Sequence, residues 1–406
     1  MSKPPTQLIF LWNYVEWGGA QIFLLAIMKA AKLDYDILVV LPRNSMPTIL
    51  IFLDNLGIRY EFLDVAIQVS DAPGLADKIR RQWRRIYAEA VSFRYLMRFD
   101  LKRSILHIET APWQSWILLT ALALRQANVF VTMHNFMPRS SKLREMVWRW
   151  RLKFVSGLPK FHIIPSNQDT KDKLRGWVRD DFWEQMVVAH TAIDPTEIDA
   201  ALAKDLDRKE VRLQHGIDPD KFLVLCVGQF IDRKGRWVFL DAAKQVIERD
   251  ADVAFVWLTP KLPDEAENAR ISEYGLGDGL QIVLSDNVGK AREDILRFFR
   301  IADVFSLPSY VEGLPIALLE AMALNLPSIS TRVYAIPEAV KNMETGILID
   351  AGDSTGLADS ILRLKQDPEL RARLGNAGRE FVLTNFDERV VAQKVIDSYK
   401  RSLEVK

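Results

Sequence analysis

Residues 302–332 read ADVFSLPSYVEGLPIALLEAMALNLPSISTR. Residues 303–307 are a short β-forming run that ends at Pro308, and a turn-like stretch follows through Ser309 and Gly313. Pro315 suits the first turn of a helix, 316–324 is an apolar helical run, and Pro327 stops it before a strand at 328–331. A strand–loop–helix–strand unit of this kind belongs to a mostly parallel α/β sheet. Two carboxylates sit awkwardly in it: Glu312 in the loop and Glu320 inside the apolar helix. A buried carboxylate is costly unless it is partnered. The pair is therefore either a solvated acid beside a salt-bridged one, or two parts of a binding site.

Glu312 and Glu320, with seven residues between them inside PSYVEGLPIALLEAMA, resemble the signature of the retaining GT-B glycosyltransferases of family 4, the glycosyl transferases group 1. The resemblance implies two Rossmann-like α/β domains facing across a cleft, the C-terminal one holding a nucleoside-diphosphate sugar. It implies that Glu320 bonds the ribose hydroxyls and that Glu312 helps organise the reacting end beside the sugar. Backbone N–H groups at Gly313, Leu314 and beyond would face the sugar and phosphates, although Pro315 offers none. The chemistry agrees: a helix N-terminus presents unpaired N–H groups and a positive dipole end to a diphosphate. A carboxylate suits two vicinal hydroxyls as a double acceptor.

The 406 residues suggest two domains, and 49% hydrophobic with 26% charged residues is an ordinary globular balance. One cysteine, Cys226, excludes an intramolecular disulfide and makes a reducing, cytoplasmic setting the expectation. No basic–apolar–small-residue pattern precedes the first apolar strand, so no signal peptide is expected. Five histidines and no clustered cysteines leave little material for a zinc site. The acid-x-acid triplet Asp205-Leu206-Asp207 lies in a charged connector, without the strand context of a metal-binding transferase motif. No metal or cofactor is expected.

The N-terminal half alternates strands and helices. Strands are expected at 8–11, 37–41, 60–63, 104–108, 129–133 and 161–165, with a short one at 186–188. After the first strand comes a loop with Gly18 and Gly19, then a helix at 21–31. The G-x-G-x-x-G dinucleotide fingerprint is absent, and the glycines by themselves need only permit a tight turn. By resemblance, GGAQ matches the family's first loop, which helps contact donor phosphates or acceptor. His134 lies just past a strand's C-terminal end, where sites form in α/β domains. In VTMHN it resembles the family's histidine that contacts the transferred sugar; His107, in HIETAPW, is the weaker candidate.

The formal net charge of +1 conceals an asymmetry. Residues 78–154, from Lys78 to Phe154, hold 16 basic and 4 acidic residues, +12, so the rest of the chain carries −11. Residues 78–103 have apolar positions at Ile79, Trp83, Ile86, Ala90, Phe93 and Met97, with arginines at many of the others. Residues 142–154, KLREMVWRWRLKF, repeat the theme. Such helices either pack by the apolar face as solvated outer helices or lie on an anionic membrane surface. Nucleic acid is not expected, because no reading motif accompanies the charge.

In the C-terminal half, 222–227 opens the second domain, followed by the loop Gly228-Gln229-Phe230-Ile231-Asp232-Arg233-Lys234-Gly235. The family places arginine after the first glycine and lysine before the second, both neutralising the donor diphosphate. Here Lys234 holds the lysine position, Gln229 replaces the arginine, and Arg233 is the substitute at hand. Residues 333–338, VYAIPE, carry Tyr334 and Ala335 where the family has glycines. The expected organisation is 1–208, an acceptor-side domain; 209–383, the nucleotide-sugar domain; and 384–406, a helix crossing back to the first domain.

The resemblance implies a retaining hexosyltransferase that moves a sugar from a nucleoside diphosphate to a glycan or lipid-linked acceptor. Glu312, His134 and Lys234 would be catalytic, and Gly18, Gly19, Gln229, Arg233, Lys234, Gly313, Leu314 and Glu320 would hold the donor. The protein is expected in the cytoplasm, peripheral to the inner membrane face through residues 78–154. The competing readings are a non-catalytic nucleotide-sugar or carbohydrate binder, and a GT-B epimerase or phosphorylase; fold does not fix function.

Overall fold

The computed structural model describes residues 6–12, 19–66, 75–136, 140–289 and 291–404. The chain divides into two compact units, Met1–His190 with Arg389–Lys406, and Thr191–Glu388.

The first unit is built on β1 (Thr6–Leu11), β2 (Tyr35–Pro42), β3 (Arg59–Leu63), β4 (Ile105–Ile108), β5 (Asn128–Met133) and β6 (Phe161–Pro165). They form one parallel sheet in the order β3-β2-β1-β4-β5-β6. Helices cover both faces of such a sheet, so its central strands are buried throughout: every residue of β4 and β5 is buried, the polar His107, Asn128 and Thr132 included. The C-terminal helix Glu388–Glu404 contributes Tyr399, fully buried, with its ring 4.8 Å from that of Phe130 in β5.

The second unit repeats the plan with β7 (Phe222–Val227), β8 (Val253–Thr259), β9 (Leu280–Leu284), β10 (Val304–Leu307), β11 (Ser328–Thr331) and β12 (Ile347–Ile349). Its parallel order is β12-β11-β10-β7-β8-β9. Read from the other edge, this is the same third-second-first-fourth-fifth-sixth order as in the first unit. In each sheet the order reverses between the first and fourth strands, and the crevice outside their carboxyl ends is where ligands bind in open α/β sheets. That point lies between β1 and β4 in the first unit and between β7 and β10 in the second.

Three sequence expectations need correction. The unit boundary falls at 190/191 rather than 208. The helices Pro195–Ala203 and Arg208–Gln214 belong to the second unit. Arg212 holds them there, donating through Nε to Ile301 O at 3.0 Å and pairing with Asp303 at 2.9 Å. The strand expected at 186–188 is absent; the helix Asp180–Gln185 precedes an extended run that meets β6 at Ala189 N to Pro165 O, 3.0 Å. The helix expected over 78–103 is Leu75–Leu96. The triplet at 205–207 has a local role: Asp207 caps the helix after it by accepting from Lys209 and Glu210 N–H.

Candidate active site

In the second unit, the loops after β7 and β10 are locked together. Gly235 has φ +75°, and a Cβ there would fall 1.9 Å from the carbonyl oxygen of Pro308, so only glycine allows this approach. Tyr310 N–H donates to Arg233 O at 2.9 Å, and Arg233 Nη1 donates to Val311 O at 3.1 Å. Hydroxyls of β11 tie down the same turn: Thr331 Oγ1 donates to Ser309 O at 2.7 Å and Ser330 Oγ to Leu307 O at 2.8 Å.

The result is a cluster around Glu312, which is only 5% exposed. Lys234 Nζ lies 2.5 Å from Oε1, Arg233 Nη1 lies 3.4 Å from Oε2, and Ser309 Oγ donates to Oε1 at 3.1 Å. Two cations facing one carboxylate leave net positive charge at the sheet's switch point. The cluster is buried enough to strengthen each of these interactions relative to bulk water. Gln229 stands exposed at the start of the β7 loop, so the position the family fills with arginine brings no charge into the cluster. Gly313 and buried Leu314 lead into the helix Ile316–Ala323, whose first backbone turn closes on Pro315 O.

Glu320 lies in that helix and is 5% exposed. Its Oε1 is 2.6 Å from Arg292 Nη2, an ion pair without hydrogen-bond alignment. The same guanidinium reaches Glu197 Oε2 with Nε at 2.5 Å. Burial pushes the Glu320 carboxyl up from its ordinary value and Arg292 opposes that rise. The sequence reading missed Arg292 and Glu197. Arg292 opens the helix Arg292–Phe299, and Glu197 lies on the helix Pro195–Ala203.

In the first unit, the corresponding strand ends carry a buried polar chain. His107 of β4 is fully buried, with Nδ1 2.5 Å from Tyr399 OH and Nε2 2.7 Å from Thr132 Oγ1. Burial, followed by the nearby His134, lowers its pKa to about 3, so the ring is neutral. Glu109, 2% exposed just past β4, lies 3.7 Å from Nε2 of both His107 and His134. His134 follows β5, its ring edge-on to Phe23 at 5.5 Å, and its carbonyl accepts from Asn167 Nδ2 at 2.9 Å. Glu109 was also missed, although HIETAPW placed an acid at a strand end. Gly19 opens the helix Gly19–Ala31, while Gly18 lies outside the described residues.

The pattern of residues 207–381 matches that of the family described as Glycosyl transferases group 1. The matched stretch lies wholly within the second unit. Among curated relatives, N-acetyl-alpha-D-glucosaminyl L-malate synthase of Bacillus anthracis is 32% identical over 192 residues, 46% of this chain and 48% of that protein. The lipopolysaccharide core biosynthesis glycosyltransferase LpsD of Rhizobium meliloti is 24% identical over 311 residues, 76% of this chain and 81% of that one. For the first of these, and for a D-inositol 3-phosphate glycosyltransferase of Pseudarthrobacter chlorophenolicus, the match spans about half the relative's length. Among solved structures, Anabaena Alr3699/HepE in complex with UDP and glucose aligns with a TM-score of 0.74 at 16% identity, covering 97% of this chain and 99% of that one. A glycosyltransferase from Rickettsia africae aligns at 0.77 and 17% identity over the whole of both chains. The fold is therefore GT-B, two Rossmann-like α/β units in one chain.

Proposed function

We propose that the protein is a retaining glycosyltransferase that moves a hexose from a nucleoside-diphosphate sugar to a glycan or lipid-linked acceptor. The observation that carries the reading is the Lys234–Glu312 pair at the switch point of the second sheet, 2.5 Å apart. It adjoins the helix Ile316–Ala323, which carries Glu320. Glu320 takes the ribose hydroxyls, sharing its second oxygen while Arg292 holds the first. Lys234 and Arg233 meet charge developing on the departing diphosphate, supported by N–H groups at Gly313 and Leu314. Donors preorganised in this way act where charge appears in the transition state. Glu312 fixes the lysine and borders the sugar, and His134 contacts the transferred sugar. Gly18, Gly19 and Gln229 complete the donor set as polar backbone and side-chain contacts. The acceptor hydroxyl loses its proton to a donor phosphate oxygen, so no metal step is invoked.

The acceptor side is assigned to the first unit, with an anionic membrane surface on residues 78–154 at the cytoplasmic face. The support is that the apolar stripe of the helix Leu75–Leu96 packs inward from Ala88 onward but is exposed before it: Trp83 is 68% exposed, on a segment of formal charge +12. No helix among the described residues is long and apolar enough to cross a membrane, so attachment would be peripheral.

The test is a matrix of nucleotide sugars and acceptors read by mass spectrometry, with donor hydrolysis and epimer formation followed in parallel. A glycosylated product with retained anomeric configuration is expected. Donor binding without any product would favour the binding-protein reading, and a changed sugar on the donor would favour an epimerase.

A further inference from the structure

One guanidinium in the second unit serves two carboxylates. Arg292 Nε donates to Glu197 Oε2 at 2.5 Å, and Arg292 Nη2 lies 2.6 Å from Glu320 Oε1. Nε and Nη2 are the neighbouring donors that hold a single carboxylate in two parallel bonds when nothing competes. Arg179 uses them in that way, with Nε on Asp181 Oδ1 and Nη2 on Oδ2, both at 3.2 Å. In Arg292 the two donors are divided. The division shows at Glu320, whose contact with Nη2 is short but lacks hydrogen-bond alignment, while the Nε bond to Glu197 is formed. The guanidinium is aimed at Glu197 and meets Glu320 off axis.

Glu197 is placed to do this by its own helix. It lies in the first turn of Pro195–Ala203, where a carboxylate also meets the positive end of the helix dipole. That helix is fixed against the one Arg292 opens: Arg300 Nη1 donates to Ala201 O at 2.6 Å and to Lys204 O at 2.7 Å, and Lys204 pairs with Glu293. Arg379 joins it to the helix of Glu320, donating to Asp199 Oδ1 at 3.0 Å and to Ala323 O. Glu197 therefore meets Arg292 from a frame that does not depend on their contact. The Glu197 side chain is 43% exposed, so its removal threatens the fold least of the three.

We infer that Glu197 is a positioning residue of the donor site: it draws the Arg292 guanidinium away from Glu320 and so keeps that carboxylate open to a vicinal diol. This rests on the reading that Glu320 takes the ribose hydroxyls, and it adds what keeps the acid available to them. Without Glu197, the freed Nε joins Nη2 on Glu320. Two parallel bonds then close over both oxygens, the arrangement Arg179 makes with Asp181. A buried ion pair is stabilised by such geometry. The diol, in contrast, loses its double acceptor. Stability is kept or gained while donor affinity is lost, a divergence that a packing role for Glu197 would not produce.

Calorimetry with UDP, GDP and ADP, paired with thermal melting, tests this in the full chain and in Glu197→Ala, Glu197→Gln, Glu320→Ala, Arg292→Lys and E197A/R292K. Glu197→Ala should bind the tightest of these diphosphates about tenfold less well, the worth of one hydrogen bond to a charged group. Its melting temperature should equal the parent's or exceed it. Glu197→Gln, whose amide oxygen still accepts from Nε, should recover part of the affinity. In the Arg292→Lys background, Glu197→Ala should change affinity little, because an ammonium is a point charge without the fork. Parent-like affinity in Glu197→Ala would overturn the positioning role. So would a loss of affinity accompanied by a lower melting temperature, or an equal loss in both backgrounds. Glu320→Ala separates this failure from that of the ribose reading. If Glu320→Ala binds as the parent does, or the parent binds none of the three, the ribose reading falls and the role of Glu197 with it. If Glu320→Ala loses binding and Glu197→Ala does not, the ribose reading stands and the role of Glu197 falls alone.

Discussion

Arg292 Nη2 lies 2.6 Å from Glu320 Oε1, and it is the cation that makes a carboxylate tolerable inside the apolar helix Ile316–Ala323. Glu197 anchors the other side of the guanidinium at 2.5 Å. Breaking a buried pair by removing one partner leaves an uncompensated charge, so Arg292→Gln should cost about 3–5 kcal/mol in a urea unfolding series. The pH dependence has a definite sign. Burial raises the Glu320 pKa in the folded protein, so the folded state binds the proton more tightly than the unfolded chain does. The associated stability is present below the ordinary carboxyl value of 4.5 and is lost as pH rises through the raised one. Without Arg292 that loss should extend to higher pH, and Glu320→Gln in the same background should abolish it. An R292Q profile that superimposes on the parent's would show that Glu320 does not feel the guanidinium.

Donor affinity should depend on Glu320 more than on any nearby acid. Hydrogen bonds to a charged acceptor are worth about 1.5–3 kcal/mol, so Glu320→Ala should weaken nucleotide-sugar binding by roughly ten- to a hundredfold in calorimetry. Circular dichroism would establish that the variant is folded. Unchanged affinity would remove the ribose role and leave Glu320 as the partner of Arg292 alone.

Removing Lys234 should slow turnover more than it weakens binding. Its ammonium is 2.5 Å from Glu312, and Arg233, at 3.4 Å, is the cation that remains. Loss of one preorganised charge at a developing oxyanion costs about a hundredfold or more in kcat. Lys234→Ala should show that loss, with a smaller change in donor Kd, and the rate of the parent should survive exhaustive chelation. A metal requirement restored by manganese or magnesium would redirect the charge stabilisation away from Lys234.

The parallel strands were legible because burial on both faces writes them as continuous apolar runs, as in FLVLCV at Phe222–Val227 and FHIIP at Phe161–Pro165. That same signal misleads at 186–188, where β-forming residues bond to β6 at its end alone. The expected boundary at 208 falls just ahead of Arg212, which buries its guanidinium against 301–303, a packing preference that composition does not record. Glu312 and Lys234 came into view together only through the resemblance, since 78 residues separate them. The Arg292–Glu197 contact spans 95 residues and sits in no recognisable motif. Tyr334 adopts φ +46°, a left-handed conformation that costs a tyrosine more than a glycine, and the sequence pattern carries no sign of that strain.

Gly235→Ala should be among the most damaging small substitutions in the second unit. The added Cβ meets a backbone carbonyl at 1.9 Å, which has no rotamer with which to move aside, and the φ of +75° is itself unfavourable for alanine. A cost of at least ~2 kcal/mol is expected. The loops after β7 and β10 would separate, so the variant should also lose the Lys234–Glu312 pair and with it turnover. Near-parent stability and rate would mean that the loop can be rebuilt without this contact.

The last prediction concerns His107, whose Nδ1 meets Tyr399 OH at 2.5 Å beneath the C-terminal helix. Burial lowers its pKa to about 3, against 6.5 for an ordinary histidine. Between those values the unfolded chain takes up a proton that the folded one refuses. Stability must therefore fall as pH drops from about 6.5 towards 3. Urea midpoints followed by tryptophan fluorescence should show this slope in the parent and lose most of it in His107→Asn. Tyr399→Phe should cost about 1–3 kcal/mol at neutral pH, because it leaves a buried ring nitrogen without its partner. The C-terminal helix should then become more susceptible to proteolysis than the rest of the first unit. A parent profile flat between pH 6.5 and 3 would mean that burial does not keep His107 neutral in the fold.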